Sequence, residues 1–343
     1  MSAQPVTTTE VVLPGVVEPD GLQIRHRELP AAGQALVTVQ ASGVSMAEQA
    51  MRRGRYPGQP KFPFVPGYDL VGTVTATGPG ADPSLAGQRV AALTKTGGWA
   101  SHVLLPAADL VPVPADLDPA EAETVVVNGV TAWQMLHRKA HIQSGQTILV
   151  HGASGGVGTT LVQLARHAGA RVIGTASPRH HDAVRALGAT PVDYASPDLA
   201  AQVRALAPGG VDAAFDHIGG DSLTRSWQLL APGGTLVSYS ITARVAGSKA
   251  VLPAFFATLA QLLWWNAAPN GKKASFYDVW SGHRLHPAAF RARTRTDMTS
   301  VLDLLQAGVI TAQVAARLPL AQVREAMTLA ESRTVTGKVV VIP

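Results

Sequence analysis

Cysteine is absent from all 343 residues. That removes disulfides, a thiolate nucleophile and any cysteine-ligated zinc site, and it fits a reducing, cytoplasmic compartment. Charge is sparse at 15%, and there is no Lys/Arg-rich run of the kind that follows a nucleic-acid backbone, so no nucleic-acid partner is expected. Long apolar runs are missing as well. Val251 to Trp265 is the most apolar stretch, but it is shorter than the roughly 20 residues a bilayer span requires and Gln261 interrupts it. It reads as a buried or interface helix, and no membrane span is expected. The opening MSAQPVTTTE has neither the basic nor the apolar region of a secretion signal. Aromatics make up only 5%, yet Phe255, Phe256, Trp264, Trp265, Phe276 and Tyr277 gather in one segment, 241–295, as core packing, cleft lining or a subunit contact.

What is present is a chain long enough for two domains, 46% hydrophobic, with 28 Lys+Arg against 23 Asp+Glu. The small cationic surplus suits an anionic cofactor. From Thr7 to about Ala120 the pattern is short, Val-rich and punctuated by Gly and Pro, which predicts a mostly antiparallel β domain. Helical character begins at Glu121 to Leu136. Strand and helix then alternate through RVIGTA, PVDY, VDAAFD and TLVSYS, the pattern of a parallel sheet covered on both faces. Met298 to Leu305 reads as a helix and GKVVVIP as a closing strand.

The centre of this alternation is QTILVHGASGGVGTTLVQLARHAGA, a strand at Gln146 to Val150, a glycine turn and a helix. Ala153 stands where the first glycine of the usual dinucleotide fingerprint falls. Such a turn lets backbone approach a pyrophosphate, whose charge the helix N-terminus receives. The end of the second strand decides between NAD and NADP, because an acid there would bond the ribose 2′-hydroxyl. Here Thr175, Ala176 and Ser177 occupy the place, and the first acid is Asp182. Ser177, Arg179 and His180 instead suit a 2′-phosphate, so NADPH is favoured over NADH. The alternative for Arg179 is a solvated cation at a helix start.

With GVSMAEQAMRRGRYPGQPKFPFVPGYDLVGTV from Gly43, GGWASHVLLPA from Gly97, VNGVTAW from Val127, HGASGGVG, VDAAFDHIGG and the terminal TGKVVVIP, the chain resembles the zinc-independent quinone oxidoreductase branch of the medium-chain dehydrogenase/reductase superfamily. Its 241–295 segment looks more like the relatives of the synaptic-vesicle membrane protein. The resemblance implies an α/β protein in which a β-rich GroES-like catalytic domain, 1–125 and 291–343, flanks a Rossmann NADP-binding domain, 126–290. It implies a homodimer with cofactor in the cleft. It puts Asn128 and Thr131 on the nicotinamide side, Ser154, Gly155, Gly156 and Val157 at the pyrophosphate, and Ser177, Arg179, His180 and Tyr194 at the 2′-phosphate, and it adds His217, Ser240 and Lys338 to the cofactor set. Ser45 replaces the family's usual Asn, and Glu48 its Asp. Neither Ser45 nor PGYD supplies the Cys or His ligands of the zinc-dependent relatives.

No metal is therefore expected. His137 and His141 have the i, i+4 spacing of a chelating pair, but Arg138 and Lys139 beside them favour a solvated helical face. Without a Lewis acid, a quinone or enone is the suitable acceptor, since conjugation spreads the charge and one or two hydrogen-bond donors stabilise it. Tyr56, in GRYPG, is the leading candidate donor, with a packed loop aromatic as the alternative reading. Ser45, Asn128 and Thr131 are secondary donors. The expected activity is NADPH-dependent reduction of quinones or of the C=C bond of α,β-unsaturated carbonyl compounds. An NADPH-binding protein with little catalysis, or a biosynthetic reductase whose product cyclises, are the alternatives.

Overall fold

The structure, a computed structural model, describes residues 6–30, 34–78, 82–240 and 251–343. Two compact units emerge: the chain up to Val130 together with Gly282–Pro343, and Thr131–Ser281.

In the first unit β1 (Val6–Val12) and β2 (Gln23–Leu29) form an antiparallel ribbon. A seven-stranded sheet follows, built from β3 (Ala35–Val44), β4 (Asp69–Thr77), β5 (Arg89–Leu93), β6 (His102–Leu105), β7 (Val111–Pro112), β14 (Val314–Pro319) and β15 (Lys338–Ile342). Its order is β14-β15-β3-β4-β5-β7, with β6 also on β3, and every pairing but β14 with β15 is antiparallel. Along β3 the side chains of Ala35, Val37, Val39 and Ala41 are buried and those between are not, the period of a sheet with one face in the core. Ala35, Val37 and Val39 cluster with Leu70, Val74, Val90, Ala92 and Val103, while Ala41 packs with Ala120 and Val340. β2 is not apparent in the sequence because QIRHREL is exposed almost throughout. Its Arg25 and Arg27 hold the buried Glu10 across the ribbon at 2.6 and 3.0 Å.

Short helices α1 (Met46–Arg52) and α2 (Pro119–Thr124) complete the β unit, and α3 (Val127–Trp133) runs on into a π-helical turn, Gln134–Lys139. The single helical region expected from 121 to 136 is thus two helices and a wider turn. The second unit is a six-stranded, wholly parallel sheet of β8 (Thr147–His151), β9 (Arg171–Ala176), β10 (Thr190–Asp193), β11 (Val211–Asp216), β12 (Leu230–Ser238) and β13 (Lys273–Phe276). The order β10-β9-β8-β11-β12-β13 reverses direction between β8 and β11, the doubly wound arrangement whose ligands lie beyond the carboxyl ends of the strands at that reversal. Ile148, Leu149, Val150, Ala213, Ala214 and Phe215 are fully buried, as a sheet covered on both faces demands. Helices α4 (Gly156–His167), α5 (His181–Ala186), α6 (Leu199–Leu206), α7 (Asp221–Leu229) and α8 (Val251–Ala267) alternate with the strands. Among the described residues no helix is long and apolar enough to cross a membrane. α8 turns Thr258 and Leu262 inward and leaves Phe256, Leu263 and Trp264 exposed, while Trp265 stacks on Trp227 at 5.0 Å. α9 (Pro287–Gln306) and α10 (Val323–Ser332) return to the first unit.

The first unit is held at its centre by a buried charge cluster. Lys338 Nζ, at the start of β15, lies 2.7 Å from both Asp69 Oδ2 and Glu123 Oε1, and all three side chains are almost fully buried. Asp69 Oδ2 also accepts the Val127 N–H at 2.9 Å and so anchors the first turn of α3. Gly43 leaves room for this cluster: a Cβ would lie 2.0 Å from Lys338 Cε and 2.5 Å from Glu123 Oε1, so a side chain there would displace the ion pairs. Burial lowers the affinity of Lys338 for its proton, but Asp69 and Glu123 outweigh it and hold the ammonium above the ordinary lysine range. Burial and then repulsion from Asp69 push Glu123 well above the usual carboxylate range. Lys338→Met would leave two buried carboxylates without a cation, and should cost about 3–5 kcal/mol by urea unfolding at neutral pH. Because a carboxyl raised in the fold binds more protons folded than unfolded, the deficit should shrink as the pH is lowered towards 5.

Candidate active site

Five of the six parallel strands end in residues that the sequence marks for the cofactor. After β8 the chain turns at Gly152, φ +66°, where a Cβ would meet His217 Cε1 at 2.5 Å, and enters α4 past Ser154 and Gly155. A Cβ on Gly158 would lie 2.1 Å from the Gly152 carbonyl, so helix and turn pack backbone against backbone. Gly155 brings no side-chain cap to the twelve-residue α4, leaving its positive end and the Gly156 and Val157 backbone for an anion. Ser177 and the exposed Arg179 follow β9, and Tyr194, 58% exposed, follows β10, its N–H donating to the Ala176 carbonyl at 3.3 Å. His180 is buried, unlike Arg179 beside it. Asp182, the first acid past β9, is paired with Arg185 on the exposed face of α5. His217 follows β11, its ring 5.8 Å from that of Tyr239, and Ser240 follows β12.

Beneath the glycine turn lies a buried polar chain that sequence patterns do not reveal. Asp216 Oδ2 accepts from Ser222 and Ser226 at 2.8 and 2.9 Å, and its Oδ1 from the N–H groups of Ile218 and Gly219. Since the Ser226 proton goes to Asp216, its oxygen accepts from His151 Nε2 at 2.9 Å. His151 Nδ1 then accepts from Thr175 at 3.1 Å, and Thr175 Oγ1 accepts the Gly152 N–H at 3.3 Å. Burial holds His151 below the ordinary histidine range despite Asp216, and Asp216 stays low because His151 and its hydrogen bonds outweigh burial. A neutral imidazole thus links the strand-order reversal to the turn.

In the β unit, Tyr56 is half-buried in the loop after α1, its hydroxyl 2.6 Å from that of the buried Tyr68 and the two rings edge to face at 5.8 Å. Lys95 Nζ stands 6.0 Å from the centre of the Tyr56 ring. Tyr68 donates its N–H to Glu48 Oε1 at 2.6 Å, and Glu48 Oε2 receives both the N–H and the hydroxyl of Ser45. Ser45 is the N-cap of α1 in a capping box, so its hydroxyl is engaged within its own helix. Burial pushes Glu48 up. Asn128 and Thr131 share one side of α3 at i, i+3 spacing and are both buried. Lys338, which the resemblance adds to the cofactor set, is buried with its ammonium between two carboxylates. The two histidines do not share a helical face: the π-turn ends at Lys139, His141 has φ +51°, and His137 packs on Trp133 at 4.3 Å. Among the described residues no group of three or more His, Cys, Asp or Glu side chains could hold a metal ion.

A histidine depressed in the fold gains protons more readily unfolded, so stability should fall as pH drops below about 6.5. His151→Gln should flatten the dependence of the urea midpoint on pH between 8 and 5; a variant with the wild-type slope would rule out this role for His151.

Residues 31–115 match the alcohol dehydrogenase GroES-like domain, and residues 187–341 the zinc-binding dehydrogenase family. Over 324 residues the chain is 32% identical to the human synaptic vesicle membrane protein VAT-1 homolog, an alignment covering 92% of this chain and 80% of that protein. Its fold matches that of mycobacterial Rv1454c, solved in complex with NADPH, with a TM-score of 0.80 and 28% identity over 98% of this chain and 100% of the other. A quinone oxidoreductase from Pseudomonas syringae pv. Tomato DC3000 gives a TM-score of 0.84 and 25% identity over the same shares. With similarity extending along nearly its whole length, the chain belongs to the medium-chain dehydrogenase/reductase superfamily, alongside the VAT-1 homologues and with quinone oxidoreductases as structural neighbours.

Proposed function

We propose that this protein is an NADPH-dependent reductase of quinones or of the C=C bond of α,β-unsaturated carbonyl compounds. The observation that carries it is the rim of the parallel sheet: a glycine turn and uncapped helix for the pyrophosphate, and beyond β9 a hydroxyl and an exposed arginine with the nearest acid already paired. The residues fit the cofactor. Gly155, Gly156 and Val157 hold the pyrophosphate, Ser177, Arg179 and Tyr194 the 2′-phosphate, and His217 and Ser240 border the same rim. NADPH, when bound, supplies a hydride. The chain's own share of the chemistry is to orient the acceptor, exclude water and stabilise negative charge on the acceptor's oxygen. Tyr56 is the donor best suited to that task, with Asn128 and Thr131 on α3 as further donors. The NADPH complex of Rv1454c and the quinone oxidoreductase likeness support this reading.

One observation favours the second reading, a protein that binds NADPH with little catalysis: the Ser45 hydroxyl, where the family has Asn, is taken up by helix capping and Glu48. A panel of quinones and enones separates the two. Steady NADPH oxidation with at least one acceptor is expected, and saturable binding with no turnover on any of them would sink the reductase reading. Arg179→Ala should raise KM for NADPH about tenfold or more, the worth of a charge-assisted hydrogen bond, and leave KM for NADH unchanged. Equal losses for both would remove Arg179 from the 2′-phosphate site.

A further inference from the structure

We propose that a cleft at the start of β13, ringed by three lysines, is an anion site separate from the cofactor rim, and that it takes a small molecule carrying a phosphate ester or diphosphate.

The cleft lies wholly within the parallel-sheet unit. It measures about 580 Å³, and its polar lining is Lys139, Thr235, Asn266, Lys272, Lys273 and Ser275. Side chains alternate along a strand, so Lys273 and Ser275 share one face of β13. Thr235, directly across from Lys273 in β12, joins them there. Lys272 precedes the strand, and Lys139 closes the π-helical turn. Asn266, near the end of α8, accepts the Ala274 N–H and donates to the Ala274 carbonyl, each at 2.7 Å. That double bond pins the helix to the strand and fixes one wall.

Charge is what sets this cleft apart. Among the described residues no acid lines it, and none of its three ammonium groups is paired with a carboxylate. Elsewhere Arg52, Arg291 and Arg317 each find an acid. Like charges gathered without a counter-ion repel one another, and a concave wall focuses their field on whatever anion enters. Lys272 is held in place for this. Its Nζ donates to the Trp227 carbonyl at 3.2 Å and stands 5.6 Å from the centre of the Trp227 ring, which is itself stacked on Trp265. One of its three protons is engaged there, and two remain for a ligand. Lost hydration holds Lys272 below the ordinary lysine range, so a bound anion restores what burial removes.

The donor set selects the chemistry. Lysines meet phosphate as point charges, and the hydroxyls of Thr235 and Ser275 serve its further oxygens. The volume falls in the range of small-molecule pockets, roughly 300–1,000 Å³, which leaves room for an organic body beside the anion. The residues assigned to NADPH follow the carboxyl ends of β8 to β12, whereas this cleft opens where β13 begins. Such a site stands whether or not the protein is a reductase.

Calorimetric titration of the full-length Arg179→Ala protein with inorganic pyrophosphate at constant ionic strength tests it, the background variant weakening the 2′-phosphate position. Saturable binding at one site is expected, about tenfold weaker on adding Lys139→Gln or Lys273→Gln and restored by Arg at the same position. No saturable binding, or lysine variants that bind as tightly as their parent, would overturn the proposal. Citrate, of comparable charge but bearing only carboxylates, should bind at least tenfold more weakly; equal affinity would overturn the phosphate assignment. A further readout leaves the lining intact: in protein with 13C-labelled lysine, saturating pyrophosphate should move the titration of the Lys272 13Cε resonance, identified with Lys272→Arg, to higher pH. An unmoved titration would overturn the site.

Discussion

One ammonium group stands between two carboxylates at the centre of the β unit, and much of the molecule is arranged around it. Lys338 brings β15 to Asp69 at the head of β4 and to Glu123 in α2. The same Asp69 oxygen takes the first N–H of α3, which carries Asn128 and Thr131. A salt bridge of this burial adds little net stability over a well-packed apolar replacement, but losing one partner is costly. What it does geometrically is tie the closing strand, β4, α2 and the start of α3 to one point. Gly43 is the steric counterpart, a missing side chain where the lysine stem passes.

The same design recurs around two other buried titratable groups, each of which controls backbone. Glu48 joins the cap of α1 to the N–H of Tyr68, so helix start and tyrosine pair are set together. His151 passes a line of hydrogen bonds from Asp216 to the Gly152 N–H, fixing the left-handed turn that leads into α4. In both cases a group costly to bury is retained where a loop must be held in one conformation.

The sequence displays the architecture well where periodicity and glycine chemistry are strong. β11 begins and ends at Val211 and Asp216 as VDAAFD suggests, β9 is RVIGTA, and the glycine turn after β8 leads into α4 as its spacing suggests. Legibility fails where tertiary contacts override local pattern. β2 is hidden because its charged residues are exposed and paired across a ribbon, which removes the alternation that marks a strand. α9 starts at Pro287, eleven residues before the apolar positions of Met298 to Leu305, because its first turns carry arginines and threonines. β13 is concealed in an aromatic segment and becomes a strand only by pairing with β12. In the site, residues at the ends of parallel strands follow from topology, whereas the roles of Tyr68, His151 and Ser226 depend on contacts 12, 24 and 75 positions away in the chain. The i, i+4 histidines mislead because a π-turn ends between them.

The ordering of Lys338 against Asp69 has a bearing on how a ribosome delivers this protein. The two partners are 269 positions apart, and Glu123 lies 215 from its lysine. Throughout elongation of the entire parallel unit, the β3 edge that will receive β15 stays uncovered and two acids wait inside a nascent core without their counter-ion. Contacts of such sequence separation form late and expose strand edges meanwhile. Loss of β15 would therefore injure strands made long before it, and a holdase that shields the β3 edge during translation would raise the yield of native protein.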